Sequence, residues 1–167
     1  MNNFPPTTDL CDANERLFDS GELQVLAPGL LSFGARERFC GSARTIKLFE
    51  ENSVLAQAVK EPGEGRVLVV DAGGSTRCAV LGGNLAGNAA DNGWAGVVVF
   101  GAVRDVEEID GCAIGIRALA VTPRRCVKRG EGQRELVVSV CGALVRPGDW
   151  IYADRDGVLV CSRPLHC

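Results

Sequence analysis

Residues Arg66–Ser75 read RVLVVDAGGS. Val67 to Val70 form an uninterrupted apolar run rich in β-branched residues, closed by Asp71 and by the paired glycines Gly73 and Gly74. Such a run bounded by turn residues predicts a buried strand. The same signal returns at Gly96–Val103 (GVVVFGAV) and at Ile116–Thr122. Between these strands the pattern changes to helix. Gly82-Gly83-Asn84 introduces a helix from Leu85 to about Asn92, and Asp105–Asp110 places acids where a helix should start. Upstream, Ser42–Leu48 predicts a strand and Asn52-Ser53 caps a helix over Val54–Lys60. A first helix is expected from Thr7 onward, ended by Gly21, with a short strand at Leu23–Leu26. After a polar loop, Pro123–Arg134, short strands are expected at Leu136–Val140, Gly142–Arg146, Trp150–Ala153 and Gly157–Cys161. The reading is an α/β centre with an antiparallel flank.

At 167 residues this is one domain, 1–167, with 46% hydrophobic residues and a net charge of −3. A chain this apolar can bury a core, so disorder is excluded. No run approaches the roughly 20 apolar residues of a spanning helix, so no membrane association is expected. Met1–Pro6 has neither a basic nor an apolar leader region, which predicts no secretory signal. Eight cysteines, none in a C-x-x-C pair, then predict reduced thiols in a cytoplasmic setting. The acidic balance argues against direct nucleic-acid binding. The local cluster Arg124, Arg125, Lys128, Arg129 reads as a solvated loop.

The only histidine is His166, so a Ser-His-Asp triad or a His-rich zinc site would have to be built on the last two residues and is set aside. Chemistry must run on carboxylates, arginines, backbone amides, water or an oxygen-held metal. Four places could carry it. The Asp71–Ser75 loop has an outline in common with nucleotide or S-adenosylmethionine loops but lacks G-x-G-x-x-G, so a plain turn is the stronger reading. Gly82-Gly83-Asn84-Leu85 exposes the amides of a helix start, a site for carboxylate or phosphate, and equally a simple helix entry. Arg104-Asp105 follows a buried strand, where α/β proteins place ligands. Arg could grip a carboxylate and Asp a hard cation; an ion pair plus helix cap fits the same residues. Asp149, Asp154 and Asp156 read as turn residues.

Taken in order, several blocks resemble one known family. They are Asp9-Leu10-Cys11-Asp12, Arg66–Ser75, Gly82–Ala86, Asn92–Gly96, Gly101–Val106, Gly115–Ala118 and Pro147-Gly148-Asp149 with Tyr152-Ala153-Asp154 and Asp156-Gly157-Val158. Together they resemble the family of regulator of ribonuclease activity A, which includes class II 4-hydroxy-4-methyl-2-oxoglutarate aldolases. The resemblance implies the swivelling β/β/α domain of that family, assembled as a homotrimer or a dimer of trimers. It implies that Gly82, Gly83, Asn84 and Leu85 bind the pyruvyl carboxylate, that Arg104 contacts the pyruvyl oxygens, and that Asp105 anchors a divalent metal, Mg2+ or Mn2+. The substrates implied are 4-hydroxy-4-methyl-2-oxoglutarate and oxaloacetate, with pyruvate released by retro-aldol cleavage or decarboxylation. The alternative it carries is a non-catalytic, protein-binding regulator of a ribonuclease.

Two departures bear on activity. Aldolases of this type usually carry Asp where Asn84 stands, and Asn cannot act as a base. The chain also ends soon after Val160, where the larger aldolases continue. Asp105, often lost in the regulator branch, is present and favours an enzyme.

Overall fold

The computed structural model describes residues 3–166. The predicted strands Arg66–Asp71, Gly96–Val103 and Ile116–Thr122 are β4 (Val67–Asp71), β6 (Gly96–Val103) and β7 (Gly115–Val121), and they lie side by side in parallel. Their side chains alternate between two cores. In β4, Leu68 and Val70 face one apolar cluster while Val67 and Val69 face the other; in β6, Val97 and Val99 oppose Val98. Burial on both faces explains why these strands read as unbroken apolar runs.

The rest of the molecule is arranged around them. Two short helices, α1 (Thr7–Ala13) and α2 (Arg16–Asp19), precede β1 (Leu23–Val25) and β2 (Leu31–Phe33). The long strand β3 (Phe39–Lys47) serves two partners. Its second half runs parallel to β4, and its first half pairs antiparallel with β11 (Trp150–Ala153). Beyond β11 follow β12 (Val158–Cys161) and then β1, both antiparallel. At the other end β2 pairs antiparallel with β7. The order is β1-β12-β11-β3-β4-β6-β7-β2, with β5 (Ala79–Leu81) added beside the end of β6 and β8 (Gln133–Arg134) beside the end of β3.

Helices α3 (Ser53–Ala58), α4 (Gly83–Asp91) and α5 (Val106–Asp110) contribute Leu55, Ala58, Ala86, Ala89 and Ile109 to the first core. The hairpin of β9 (Val138–Val140) and β10 (Ala143–Val145) covers the second. Its two-residue turn, Cys141-Gly142, has φ of 45° and 78°, the mirror-image turn that matches strand twist. A third cluster seals α1 onto β11 and β12 through Phe4, Leu10, Tyr152 and Leu159. The expected α/β centre with an antiparallel flank is what forms.

Among the details that depart from the sequence reading, strand β8 lies at the end of the expected loop Pro123–Arg134. The first helix breaks at Asn14, whose φ of −127° is not helical and whose side-chain amide donates to Leu10 O at 2.9 Å. That bond competes with continuation of the helix. Strand β2, three residues next to a positive-φ Gly34, was too short to carry a pattern. Strand β3 begins at Phe39, because Cys40 and Gly41 pair with β11, a partner more than a hundred residues away.

One buried cation ties the layers together. Arg117 on β7 donates to Ser32 Oγ at 2.7 Å, to Glu37 O at 2.6 Å and to Asp154 O at 2.9 Å. Seven described cysteines are free thiols; Cys167 lies outside the described residues. Among the described residues no helix is long and apolar enough to cross a membrane.

Candidate functional site

The site arises from two neighbouring parallel strands. Leu81 at the end of β5 pairs with Val103 at the end of β6, and Arg104 N–H donates to Leu81 O at 3.0 Å. The two strand-to-helix turns that follow, Gly82 into α4 and Arg104-Asp105 into α5, are therefore adjacent at the carboxyl edge of the sheet. This is where open α/β folds bind ligands. The structure thus brings together all six residues singled out in the sequence.

Asp105 occupies the cap position of α5 in a left-handed conformation, φ 60° and ψ 47°, and makes no side-chain capping bond to its own helix. Its Oδ2 instead accepts from Gly83 N–H at 3.3 Å and lies 3.5 Å from Arg104 Nε. The simple helix-cap reading of Asp105 therefore fails, and its ion pair with Arg104 is real. Both side chains stay open to the cleft, at 37% and 38% exposure. The two glycines permit this approach. A Cβ on Gly82 would sit 2.7 Å from Asp105 Oδ2, and one on Gly83 would collide with Glu108. The first helical bond of α4 runs from Ala86 N–H to Gly82 O, so the Asn84 and Leu85 amides precede it.

The cleft, about 220 Å³, is lined by Gly82, Asn84, Leu85, Arg104 and Asp105, and also by Asn52, Arg125 and Lys128. These last three were not recognised as site residues. Asn52 resembles a helix cap, yet it makes no capping bond; its amide donates to Val80 O at 3.1 Å and its buried Oδ1 has no partner among the described residues. The basic cluster forms the exposed loop that the sequence predicts, with Arg124, Arg125, Lys128 and Arg129 all open to solvent, and its backbone is also tied to β5. Ala79 N–H donates to Arg124 O at 2.8 Å and Cys126 N–H to Ala79 O at 3.3 Å, which folds the loop back onto β5. Cys126 is no ready nucleophile, since burial pushes its thiol up.

The other candidates resolve as structure. In the Asp71–Ser75 loop, a Cβ on Gly73 would meet the Phe49 ring and one on Gly74 the Phe100 ring. Asp71 accepts from Gly73 N–H and Ser75 Oγ donates to Glu50, as in a tight turn. Asp149 accepts from Arg146 N–H within its turn. Asp154 accepts from Thr7 N–H and Thr7 Oγ, each at 2.7 Å, and anchors α1. His166 Nδ1 lies 2.7 Å from Tyr152 Oη, outside the residues that line the cleft.

No group of three or more His, Cys, Asp or Glu residues gathers to hold a metal among the described residues. The exposed Asp105 carboxylate fits a hard cation of the Mg2+ kind, which commonly takes one or two carboxylates and keeps several waters.

Comparison with known proteins follows the same outline. The family described as RraA-like, Aldolase/RraA, matches residues 7–160. A Cupriavidus necator protein provisionally named 4-hydroxy-4-methyl-2-oxoglutarate aldolase is 53% identical over 161 residues, covering 96% of this chain and 98% of that one. A Thermus thermophilis structure described as the RNA-processing inhibitor RraA superposes with a TM-score of 0.90 at 45% identity, over 97% of this chain and 95% of the other. A Geobacillus kaustophilus structure described as an S-adenosylmethionine: 2-dimethylmenaquinone methyltransferase also gives 0.90, at 38% identity, over 96% and 97%.

Proposed function

The chain belongs to the RraA-like family, and from that premise we propose that it is a class II aldolase that releases pyruvate from 4-hydroxy-4-methyl-2-oxoglutarate and decarboxylates oxaloacetate. The observation that carries this reading is the meeting of an amide-lined helix start with the Arg104–Asp105 pair in one cleft.

The amides of Asn84 and Leu85 can receive the substrate carboxylate, aided by the dipole of α4. Arg104 then lies beside the 2-oxo group and holds the negative charge that grows there when the C–C bond breaks. That charge exists only beyond the ground state, so stabilising it speeds the reaction. Asp105 would hold Mg2+ or Mn2+, which supplies Lewis-acid stabilisation of the same charge. The Gly83 amide keeps the Asp105 carboxylate aimed at the cleft. Asn84 can orient a water but cannot take its proton, so turnover is slower than in enzymes with an acid there.

The test is direct. Purified protein is mixed with oxaloacetate or 4-hydroxy-4-methyl-2-oxoglutarate and Mg2+, and pyruvate is followed with and without EDTA. Pyruvate release that EDTA stops is expected. No release from either substrate with Mg2+ or Mn2+ would overturn the reading in favour of a non-catalytic ribonuclease regulator, which the Thermus relative's description favours.

A further inference from the structure

A second cavity lies where the two ends of the sheet approach each other. Strands β1 and β12 stand on one side, β2 and β7 on the other, and the link from β1 to β2 closes it. It measures about 180 Å³ and shares no lining residue with the cleft of Arg104 and Asp105. That cleft opens at the ends of β5 and β6, whereas Arg117 lines this cavity from near the start of β7, opposite Ser32. Leu26, Pro28, Leu30 and Val158 give the cavity apolar walls. At a liquid share of about 30 Å³ per water, it has room for about six water-sized groups.

The charge in this cavity is Arg117, which is 3% exposed. Its Nη1 donates to Ser32 Oγ and Ile116 O, and its Nη2 donates to Glu37 O and Asp154 O. Those four bonds use the four Nη hydrogens and leave Nε–H as the remaining donor. All four acceptors are neutral, and Arg117 forms no ion pair among the described residues. Burial pushes the guanidinium down, and the Asp154 and Glu37 carboxylates oppose this without bonding it. Asp154 is already committed, since its oxygens accept from Thr7 N–H, Thr7 Oγ and Asp156 N–H. A buried cation with no bonded anion is costly. The lining adds a second guanidinium, Arg155, which is exposed and also makes no ion pair among the described residues; Asp156 beside it is exposed to water.

We propose that this cavity is a second ligand site, which binds a short aliphatic monocarboxylate of about four to six carbons. The carboxylate meets Arg117 Nε–H and Arg155, and the chain lies against Leu26, Pro28, Leu30 and Val158. Such a ligand supplies both the acceptor and the charge that Arg117 lacks, and the apolar walls favour a chain without a second charge. The volume is too small for a nucleotide or other large cofactor, which takes about 300 Å³ or more. The site goes beyond the pyruvate-release reading and does not depend on it.

The experiment reads binding rather than turnover. Calorimetry without Mg2+ compares 3-methylbutanoate with 3-methylbutanamide, its neutral counterpart, and with acetate, which lacks the chain. Wild type should bind 3-methylbutanoate with a Kd of about 1 mM. The amide and acetate should each bind about tenfold more weakly. Arg117→Lys keeps the charge but loses the planar fork, and should weaken 3-methylbutanoate by about tenfold. Arg155→Gln and Leu30→Ala should each weaken it by about threefold. Arg155 is exposed, so its substitution keeps the test decisive if Arg117→Lys unfolds. Arg104→Gln should leave the affinity within about twofold, because the ligand sits outside that cleft. No binding of 3-methylbutanoate up to about 20 mM overturns the proposal. So does equal binding of the amide, or an affinity unchanged in folded Arg117→Lys or in Arg155→Gln. Loss of binding in Arg104→Gln would place the carboxylate at the start of α4 and overturn it as well. Failure of pyruvate release would remove the aldolase reading and leave this binding result standing.

Discussion

Asp105 combines two demands in one residue. It needs a left-handed backbone to turn its carboxylate toward Gly83, and it needs the carboxylate itself. Asn tolerates that backbone nearly as well, whereas Ala there costs about 1 kcal/mol. Asp105→Asn is therefore the clean test. It should cut Mg2+-dependent pyruvate release by on the order of 10²-fold or more, with the melting temperature within about 2 °C of wild type. Arg104→Lys should fail comparably in the same assay, since Lys keeps the charge and loses the planar fork. Asn84→Asp supplies the missing acid and should raise the aldolase rate. Asp154 makes a stability prediction. Burial acts to raise its carboxyl, but the two bonds from Thr7 hold it below its usual range. A depressed carboxyl stabilises the fold above the unfolded value and loses that contribution as pH falls through the folded one. Asp154→Asn should cost about 2 kcal/mol near pH 7. In thermal melts its difference from wild type should close below about pH 4.

At the scale of elements, the site depends on how closely α4 and α5 begin beside each other. Gly82 has φ −131°, which any residue adopts, so its role is space rather than backbone freedom. A methyl there would press on the Asp105 carboxylate at 2.7 Å. Gly82→Ala should shift that carboxylate and lower kcat by on the order of 10²-fold. Circular dichroism should show the same helix content and a Mg2+ titration should show weaker binding. The sequence made both turns legible, because a buried strand followed by Gly-Gly-Asn or by Arg-Asp and acids marks a strand-to-helix edge. It could not show that β5, only three residues long, lies beside β6 and so joins the two turns. Nor could it show that the loop of Arg125 and Lys128 is drawn into the cleft, because the bonds that draw it come from Ala79 and Glu51.

For the whole molecule, Arg104 and Asp105 line an open cleft, and Phe49 and Val127 are large apolar side chains left half exposed. The proposed assembly is a homotrimer or a dimer of trimers. Light scattering should give three or six times 17.6 kDa; a monomer mass across a dilution series would overturn it. By itself the sequence determined the α/β centre and its helices, and marked Gly82 to Leu85 and Arg104-Asp105 as strand-to-helix turns, while the binding roles proposed for them rest on the family resemblance. These are local signals, since apolar runs, glycine pairs and caps act within a few residues. The tertiary structure alone decided what depends on partners distant in the chain. It split β3 between β4 and β11, and bound Asp154 to Thr7 across nearly the whole chain. It turned Asp105 to the Gly83 amide instead of its own helix, and Glu51 to the amides of a loop near residue 130. Hydrogen bonds between segments so far apart leave no period or spacing in the sequence, so only the folded chain reveals them.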